Sequence, residues 1–350
     1  MNLVTGATGL LGSHIVEQLR KRNRPVRALV RPTADTTFLK SLGVELVPGD
    51  LSDPPSIARA CQGVQCIYHA AARVGDWGPW EDFVRITIDG SRNLFDAAEA
   101  AAVPRFIHIS SISVYGHVNQ PGLVIDETAP LGQQLYKWSY YTRAKVVVEE
   151  ELWRRVRAGS KVKYTVIRPS WLYGPRDRAT IGRLVTMIKS RKAKLLGSGD
   201  NRLNVVYAGN VAEACILAAD NPAAVGQAYN CSNDGQLTQR EYFDLLAKAI
   251  GEPPVTKRVP FKVAYRAAFV LECIGHLFKT KKPPLVTRYA VWLMGRDTFF
   301  SADKARRELG WKSTVGYKEG IPATIRWYEQ SHNALAPGES PGASPAPVAS

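Results

Sequence analysis

The stretch that decides the fold is Met1-Asn2-Leu3-Val4-Thr5-Gly6-Ala7-Thr8-Gly9-Leu10-Leu11-Gly12, in which a short apolar run leads into three glycines at every third position. A strand, a glycine-rich turn and a helical pattern are the opening of a βαβ unit that binds a dinucleotide. We expect Gly6 to permit a tight turn, Gly9 to let the backbone approach a pyrophosphate, and Gly12 to let the helix pack closely. The helix N-terminus would then face the phosphates. An ordinary turn between a strand and a helix can also carry three glycines, so the choice between a dinucleotide-binding turn and an ordinary one depends on the rest of the chain.

The composition is that of a globular protein with a sizeable core. The chain has 350 residues, of which 45% are hydrophobic and 9% aromatic, and a formal net charge of +15. This charge suits an anionic cofactor, an anionic membrane surface or a nucleic acid. Lys and Arg are scattered without a dense basic run, and no zinc-finger or RNA-binding signature occurs, so we predict no nucleic-acid partner.

Cysteine usage and hydropathy bear on the compartment. The cysteines are odd in number and lack Cys-x-x-Cys spacing, which is typical of core residues in a reducing compartment and predicts no metal site; they are Cys61, Cys66, Cys215, Cys231 and Cys273. The first strand begins at Asn2, which leaves no room for a signal peptide. The most apolar stretch, residues 261–278, is interrupted by charges. We therefore expect a cytoplasmic protein whose contact with a membrane, if any, is peripheral.

Strand and helix patterns alternate along the first half of the chain. Apolar strand patterns cover Val26–Val30, Val44–Val47, Cys66–His69 and Arg105–Ile109, and a helical pattern covers about Pro79 to Ala101. This alternation predicts a Rossmann-type, doubly wound parallel sheet, which is an α/β fold. Ligands of such sheets bind outside the carboxyl ends of the strands, where Ser110 and Ser111 stand.

The end of the second strand bears on the choice between NAD and NADP. An acidic residue there holds the ribose 2′-hydroxyl of NAD, whereas Arg31 suits the 2′-phosphate of NADP. The alternative is a solvated loop arginine. Asp50 could accept the adenine amine while Leu51 packs on the ring, although a turn aspartate fits equally well. His69 is interpreted as a hydrogen-bonded core histidine.

Tyr141 and Lys145 are four residues apart, which places both on one face of a helix. They follow Ser111 and form the only Tyr-x-x-x-Lys of the chain. A nearby ammonium and an oxidised nicotinamide would lower the pKa of a tyrosine and make it a general acid/base. We expect Tyr141 to transfer the proton, Lys145 to supply the charge and bond the nicotinamide ribose, and Ser111 to hold the substrate oxygen.

With these motifs, residues 1 to about 330 resemble the extended short-chain dehydrogenase/reductase family. The resemblance rests on the glycine stretch and on Gly49-Asp50-Leu51, His69-Ala70-Ala71, Ser110-Ser111-Ile112-Ser113-Val114-Tyr115-Gly116, Tyr141 to Lys145, and Arg168-Pro169-Ser170-Trp171-Leu172-Tyr173-Gly174-Pro175. It implies that Ser111, four residues before Tyr115, is the active serine, and that the protein is a homodimer. Thr87 departs from the asparagine that many members carry. The branch of 3β-hydroxysteroid dehydrogenases and dihydroflavonol-type reductases is the most similar, although nucleotide-sugar epimerases share the core motifs.

The predicted cofactor contacts combine the motifs and the resemblance. They are Gly6, Gly9, Leu10, Leu11, Gly12, Arg31, Asp50, Leu51, Ala70, Ala71, Tyr141, Lys145 and Pro169.

The later part of the chain is expected to set the substrate. We predict an NADP-binding domain over residues 1–168, a mainly substrate-binding lobe over 169–332 that interleaves with the last sheet elements, and a disordered tail over 333–350. The helix over 261–278, followed by Lys279, Lys281 and Lys282, could wall an apolar pocket, dip into an anionic membrane surface or simply face the core. Arg202 and Arg288 could meet a substrate anion or be solvated.

Three functions remain open from the sequence. The leading one is an NADP-dependent oxidoreductase, with NAD as the other cofactor, acting on a secondary alcohol or ketone of a sterol-like or acyl-derived molecule. The second is a nucleotide-sugar epimerase or dehydratase that keeps NAD bound between turnovers. The third is a cofactor-binding regulator without turnover, against which the set Ser111, Tyr141 and Lys145 argues.

Overall fold

The computed structural model describes residues 1–333 of the chain. The strands of this part are β1 (Asn2–Thr5), β2 (Val26–Val30), β3 (Glu45–Pro48), β4 (Cys66–His69), β5 (Arg105–Ile109), β6 (Val124–Ile125), β7 (Lys163–Pro169), β8 (Trp171–Tyr173), β9 (Leu195–Leu196), β10 (Val205–Tyr207), β11 (Ala228–Cys231), β12 (Arg258–Val259) and β13 (Phe299–Phe300).

Helices separate most of these strands. They are α1 (Leu10–Lys21), α2 (Thr37–Ser41), α3 (Pro54–Cys61), α4 (Trp80–Phe83), α5 (Gly90–Ala100), α6 (Tyr140–Arg157), α7 (Ile181–Lys189), α8 (Ala208–Asp220), α9 (Gln239–Ala249), α10 (Phe261–Leu277), α11 (Arg288–Gly295), α12 (Asp303–Leu309) and α13 (Tyr317–Asn333), with a π-helical segment at Val84–Asp89 and 3-10 turns at Ile112–Tyr115 and Pro222–Ala224.

Seven parallel strands form the central sheet, in the order β11-β7-β5-β4-β1-β2-β3. The chain moves from β1 outward through β2 and β3, and then returns to the other side of β1 at β4. The strand order therefore reverses between β1 and β4, and the crevice at such a point is where ligands of this architecture bind. The predicted fold class is confirmed.

Both faces of the sheet are covered by helices, as parallel strands require. On one face Ile15 of α1 and Ile216 of α8 are fully buried against the sheet. On the other face Ile57 of α3, Leu94 of α5 and Val148 of α6 do the same. Because helices bury both faces, only the strand ends and the loops that follow them are left for chemistry.

A smaller lobe stands over the carboxyl ends of the strands. The short parallel pairs β8 with β10 and β9 with β12 belong to it. Its own core includes Leu184 of α7, Leu246 of α9 and Ile325 of α13. Between these elements β11 returns to the edge of the main sheet beside β7. The division at residue 168 stays a prediction, and its tail over 333–350 lies, apart from Asn333, outside the described residues.

One local prediction needs correction. The single helix expected over about 79–101 contains a π-helical segment at Val84–Asp89, which joins α4 to α5. The aromatic residues before α6 form a turn, in which the N–H of Ser139 bonds the carbonyl of Tyr136 at 3.1 Å, and α6 begins at Tyr140.

The cysteines within the described chain are all free, and four of the five are buried. No helix among residues 1–333 is long and apolar enough to cross a membrane.

Candidate active site

The glycine turn after β1 is built by close backbone contacts. Gly6 has φ +67°, and a Cβ on it would lie 2.7 Å from the backbone nitrogen of Ala71. A Cβ on Gly12 would lie 2.1 Å from the carbonyl oxygen of Gly6, so the first turn of α1 packs directly on the turn that precedes it. The nearest atoms to Gly12 thus belong to the turn itself, and the close packing expected at Gly12 is made against that turn.

The N-terminus of α1 offers unshared hydrogen-bond donors. Gly9 precedes the helix, no side chain caps it, and the first turn has no acidic residue. The first intrahelical bond runs from the N–H of Ser13 to the carbonyl of Gly9, at 3.0 Å. The N–H groups of Leu10, Leu11 and Gly12 therefore have no helical acceptor and fit an anionic phosphate.

The end of β4 lies against this turn. The N–H of Ala70 bonds the carbonyl of Thr5 at 3.2 Å, and small side chains continue at Ala71. His69 is buried and uses both ring nitrogens, one with the Thr5 hydroxyl at 2.7 Å and the other with the Ser91 hydroxyl at 2.9 Å. His69 is therefore the core histidine that the sequence predicts, and the crevice wall above it is backbone.

Arg31 and Asp50 lie together at the ends of β2 and β3. Arg31 is exposed. Oδ1 of Asp50 accepts hydrogen bonds from the N–H and the hydroxyl of Ser52, at 2.9 and 2.7 Å. Burial alone would raise the pKa of Asp50, but the bonds from Ser52 and the charges of Arg31 and Arg85 lower it overall. Oδ1 of Asp50 therefore stabilises the turn through Ser52, and the other carboxylate oxygen is left for a ligand.

Leu51 is mostly covered by the chain itself. Its side chain is 8% exposed and packs against Gly90, and its carbonyl accepts a bond of 2.9 Å from the Asn93 amide. Its predicted contact with an adenine ring stays a prediction. So does the cofactor contact of Pro169, the buried last residue of β7.

The two serines at the end of β5 point to different surroundings. Ser110 donates a 2.6 Å hydrogen bond to the fully buried carboxylate of Glu149, which also pairs with Arg168. Ser111 caps the following 3-10 turn, accepts a bond from the N–H of Ser113 at 3.1 Å, and is a hydrogen-bond partner of Tyr141. The structure thus assigns Ser110 to a buried network and places Ser111 beside the tyrosine.

Tyr141 and Lys145 lie on the first turns of α6, which packs against the sheet. The ammonium of Lys145 is buried and donates a 2.8 Å hydrogen bond to the carbonyl of Ile109, the last residue of β5. This bond holds α6 at the carboxyl end of the sheet. Ser111, Tyr141 and Lys145 are therefore brought together on two neighbouring elements, next to the strand-order reversal.

Burial governs the pKa values of Tyr141 and Lys145. It raises the pKa of Tyr141, and the hydrogen bond with Ser111 opposes that rise only in part. It lowers the pKa of Lys145 to about 8, against the charge of Glu149. The lowering of the Tyr141 pKa predicted from the sequence is not seen in the chain alone, because desolvation outweighs the hydrogen bond.

Thr87 is the position at which the sequence departs from the pattern of the family that it resembles. It lies in the π-helical segment, and its hydroxyl accepts a 2.9 Å hydrogen bond from the N–H of Arg73. Thr87 therefore fixes the loop that follows β4, and π-helical segments often occur at functional sites.

The smaller lobe closes over this loop and over Tyr141. Thr287 donates a hydrogen bond to the carboxylate of Asp76, and the indole of Trp77 donates one of 2.9 Å to the carbonyl of Thr280. The ring of Tyr289, on α11, lies 6.2 Å from the ring of Tyr141 at a steep angle. Tyr289 is thus a site residue that the sequence analysis missed, since nothing in its local pattern marks it.

The arginines proposed from the sequence as anion ligands have other partners. Arg288 pairs with the buried Glu272, with Nε and the carboxylate 2.6 Å apart, and is thus neither solvated nor free. Arg202 lies over the ring of Phe299 at 4.9 Å. Arg296, on the segment after α11, is a buried arginine whose guanidinium nitrogens have no hydrogen-bond partner among residues 1–333. Nothing in the sequence around Gly295 and Arg296 indicates that this arginine is buried without a hydrogen-bond partner.

Comparison with known proteins places these features in a family. The family model described as "NAD dependent epimerase/dehydratase family" matches residues 2–232. The chain is 31% identical over 327 residues to the 2-alkyl-3-oxoalkanoate reductase of Stenotrophomonas maltophilia, covering 91% of this chain and 96% of the relative.

Solved structures agree in fold. The crystal structure of gox2253 superposes with a TM-score of 0.79 at 31% identity, covering 95% of this chain and 98% of that one. UDP-glucuronic acid 4-epimerase from Bacillus cereus, solved in complex with NAD, has a TM-score of 0.72 at 22% identity, covering 95% and 99% of the two chains. At 22% identity, the similarity to this epimerase shows a shared fold.

Proposed function

Because the chain belongs to the NAD dependent epimerase/dehydratase family, as an oxidoreductase of the extended short-chain dehydrogenase/reductase type, we propose that it is an NADPH-dependent ketoreductase. Its substrate is a ketone within an apolar acyl chain, similar to the compounds for which the 2-alkyl-3-oxoalkanoate reductase is named. The observation that carries the proposal is the grouping of Ser111, Tyr141 and Lys145 beside the glycine turn.

The chain's own residues have separate tasks in this reaction. The bound nicotinamide cofactor supplies the hydride. Tyr141 gives its hydroxyl proton to the ketone oxygen, and Ser111 donates a hydrogen bond that orients the same oxygen. The raised pKa of Tyr141 keeps the phenol protonated at neutral pH, which is the form that ketone reduction needs. Lys145 holds positive charge near the phenolate that forms.

The preference for NADPH over NADH rests on Arg31. Its guanidinium is exposed at the end of β2, where a ribose 2′-phosphate would lie, and no acidic residue ends that strand. Arg31 and Arg85 both act on the Asp50 carboxylate, and because Arg85 is paired with Asp82, Arg31 is the guanidinium here that is left for a phosphate. A planar guanidinium binds a phosphate through two parallel hydrogen bonds.

Replacement of Tyr141 by Phe tests the proton donor. We expect Tyr141→Phe to abolish NADPH oxidation by a 2-alkyl-3-oxo acid, a loss of at least about 100-fold in kcat, and to leave NADPH binding within about twofold. The control is Tyr140→Phe, since Tyr140 is the adjacent tyrosine and packs against Trp80 with ring centroids 5.5 Å apart. Unchanged turnover in Tyr141→Phe would refute the assignment.

The outer face of α10 supports contact with an anionic membrane surface. Most of its exposed apolar residues share one side of the helix, and the opposite side is buried against the protein; those on the shared side are Val263, Ala267, Val270, Ile274 and Leu277, and Phe269 is exposed outside it. Phe278 follows at 72% exposure, and Lys279, Lys281 and Lys282 add charge beside the apolar face. Apolar residues rimmed by lysines suit an interface with anionic lipid, and such contact would bring the enzyme to lipophilic ketones.

Sedimentation with lipid vesicles tests this surface. We expect the protein to co-sediment with vesicles of phosphatidylcholine and phosphatidylserine and much less with phosphatidylcholine alone. The double variant Val270→Asp, Ile274→Asp should lose binding while NADPH binding persists. Equal sedimentation of the variant and the parent protein would contradict the membrane contact. The homodimer stays a prediction.

A further inference from the structure

Arg296 is a buried cation without a partner. It is 1% exposed, and none of its three guanidinium nitrogens has a hydrogen-bond partner among residues 1–333. The same residues provide no acidic group in an ion pair with it. A buried charge of this kind is costly, and in proteins it is normally paired. A buried guanidinium without an acceptor therefore points to a ligand that supplies one.

The side chains around Arg296 contact its guanidinium as aromatic rings and offer it no hydrogen-bond acceptor. The carbon at its centre lies 3.9 Å from the ring centroid of Trp292 and 5.1 Å from that of Phe300. Contact with aromatic rings engages the flat faces of the group, whereas the N–H donors point outward in its plane. What remains unsatisfied is a planar fork of donors, which matches the two oxygens of a carboxylate.

The segment that carries Arg296 is held firmly. The side-chain amide of Asn201 donates to the carbonyls of Met294 and Arg296, at 2.9 and 3.2 Å. The indole of Trp292 donates a 2.9 Å bond to the carbonyl of Val118, which fixes the ring beneath the guanidinium. The fork is therefore positioned before any ligand arrives, as a binding group requires.

Tyr289 connects Arg296 with Tyr141. Burial raises the pKa of Tyr289, and the charges of both Tyr141 and Arg296 act on it. Burial lowers the pKa of Arg296 to about 10, and the groups whose charges oppose this are Tyr289 and Tyr136, not a carboxylate. The rings of Tyr289 and Trp292 lie 5.7 Å apart, so a short run of aromatic side chains leads from Tyr141 to the unpaired fork.

We propose that Arg296 binds the carboxylate of the substrate, so that the protein reduces an oxo acid whose acid group lies in the smaller lobe while its ketone faces Tyr141. This deepens the proposed function and rests on it. The polar head of the substrate would be fixed at both ends, by Tyr141 and Ser111 at the ketone and by Arg296 at the acid. Such two-point binding sets the ketone in one orientation.

Substitution of Arg296 by Met separates a binding role from a structural one. A group held for binding at a cost in stability should yield a more stable protein when an apolar side chain of similar length replaces it. We expect Arg296→Met to melt at the same or a higher temperature without substrate, and to bind NADPH as before. A lower melting temperature together with an unchanged KM for the oxo acid would overturn the proposal.

The substrate comparison uses a freshly saponified 2-alkyl-3-oxo acid and its methyl ester. For the parent protein we expect the acid to have the lower KM by roughly 30-fold or more, and for Arg296→Met we expect this preference to vanish. Arg296→Lys should restore part of it. The control is Arg258→Gln, which removes an exposed arginine from the same lobe and should keep the preference.

Two results separate failure of this proposal from failure of the proposed function. If acid and ester are reduced equally well and Arg296→Met changes neither, the carboxylate site is wrong while the ketoreductase stands. If UDP-glucose, and not the oxo acid, raises the melting temperature of the parent protein, and Arg296→Met abolishes that rise, the site binds a diphosphate and the carboxylate proposal is wrong. Absence of any reduction, with melting still raised by the oxo acid only in the parent protein, would refute the ketoreductase and keep the anion site.

Discussion

Arg31 is the residue on which the choice of cofactor depends. We predict that Arg31→Asp lowers the affinity for NADPH by at least about tenfold, since a charge-assisted contact with the 2′-phosphate is replaced by repulsion. NADH binding should change little. Fluorescence titration of both cofactors measures the ratio. Arg157→Asp makes the same change of charge on an exposed residue of α6 and should leave the ratio unchanged. Equal ratios in the two variants would show that Arg31 does not contact the phosphate.

Single residues differ in how well the sequence predicts them. Ser111, Tyr141 and Lys145 could be proposed because their spacing along the chain follows from one strand end and one helix turn. Tyr289 and Arg296 could not, because their relation to Tyr141 depends on how a distant helix folds back over the cleft. The lack of a partner for Arg296 is a property of three-dimensional packing, and no local pattern contains it.

Among the structural elements, the turn between β1 and α1 has the least room for change. We predict that Gly12→Ala destabilises the protein by about 1–3 kcal/mol or abolishes cofactor binding, because the added methyl group would lie 2.1 Å from the carbonyl oxygen of Gly6. Urea unfolding and NADPH titration measure the two effects. Gly316→Ala is the control, since a Cβ there would meet no atom within 4 Å. Normal stability and normal NADPH affinity in Gly12→Ala would contradict this account of the turn.

Elements with a strong period are the ones that the sequence predicts best. The first five strands of the sheet agree with the predicted apolar runs to within a residue; for example, the run Val44–Val47 corresponds to β3 at Glu45–Pro48, whereas β7 and β11 were not predicted. The helix over 261–278 was also recognised, but its surroundings were not. Its inner face packs against the protein through Glu272 and Gly275, whereas its outer face is apolar and exposed. Hydropathy alone does not predict this arrangement, because the charged Glu272 lies on the buried face while large apolar residues lie on the exposed one.

For the whole molecule, buried histidines link stability to pH. Burial lowers the pKa of His14 to about 4, of His69 and His117 to about 3, and of His108 well below the usual value. These groups stay neutral in the fold, whereas an unfolded histidine takes up a proton below about pH 6.5. Stability is therefore fully present above pH 6.5 and falls as the pH is lowered, by up to about 1.4 kcal/mol per pH unit for each histidine.

His108 gives the sharpest test of this linkage, because neither of its ring nitrogens has a hydrogen-bond partner in the part of the chain that the structure describes. We predict that His108→Leu keeps the free energy of unfolding at pH 7.5 and weakens its fall between pH 6.5 and 5. Urea unfolding at several pH values measures the slope. His332→Gln, on the last turn of α13, should keep the slope of the parent protein. A slope unaltered by His108→Leu would mean that this histidine is protonated in the fold.

The most direct test of the central claim follows a deuterium atom through the reaction. The protein is incubated with NADPH that carries deuterium at both C4 positions of the nicotinamide and with a 2-alkyl-3-oxo acid, and the product is analysed by mass spectrometry beside that of Tyr141→Phe. We predict one deuterium at the new carbinol carbon for each NADPH oxidised, and no labelled product from the variant. If no label is transferred, and denaturation of the purified protein instead releases stoichiometric NAD, the protein is an epimerase or dehydratase and the ketoreductase account is wrong.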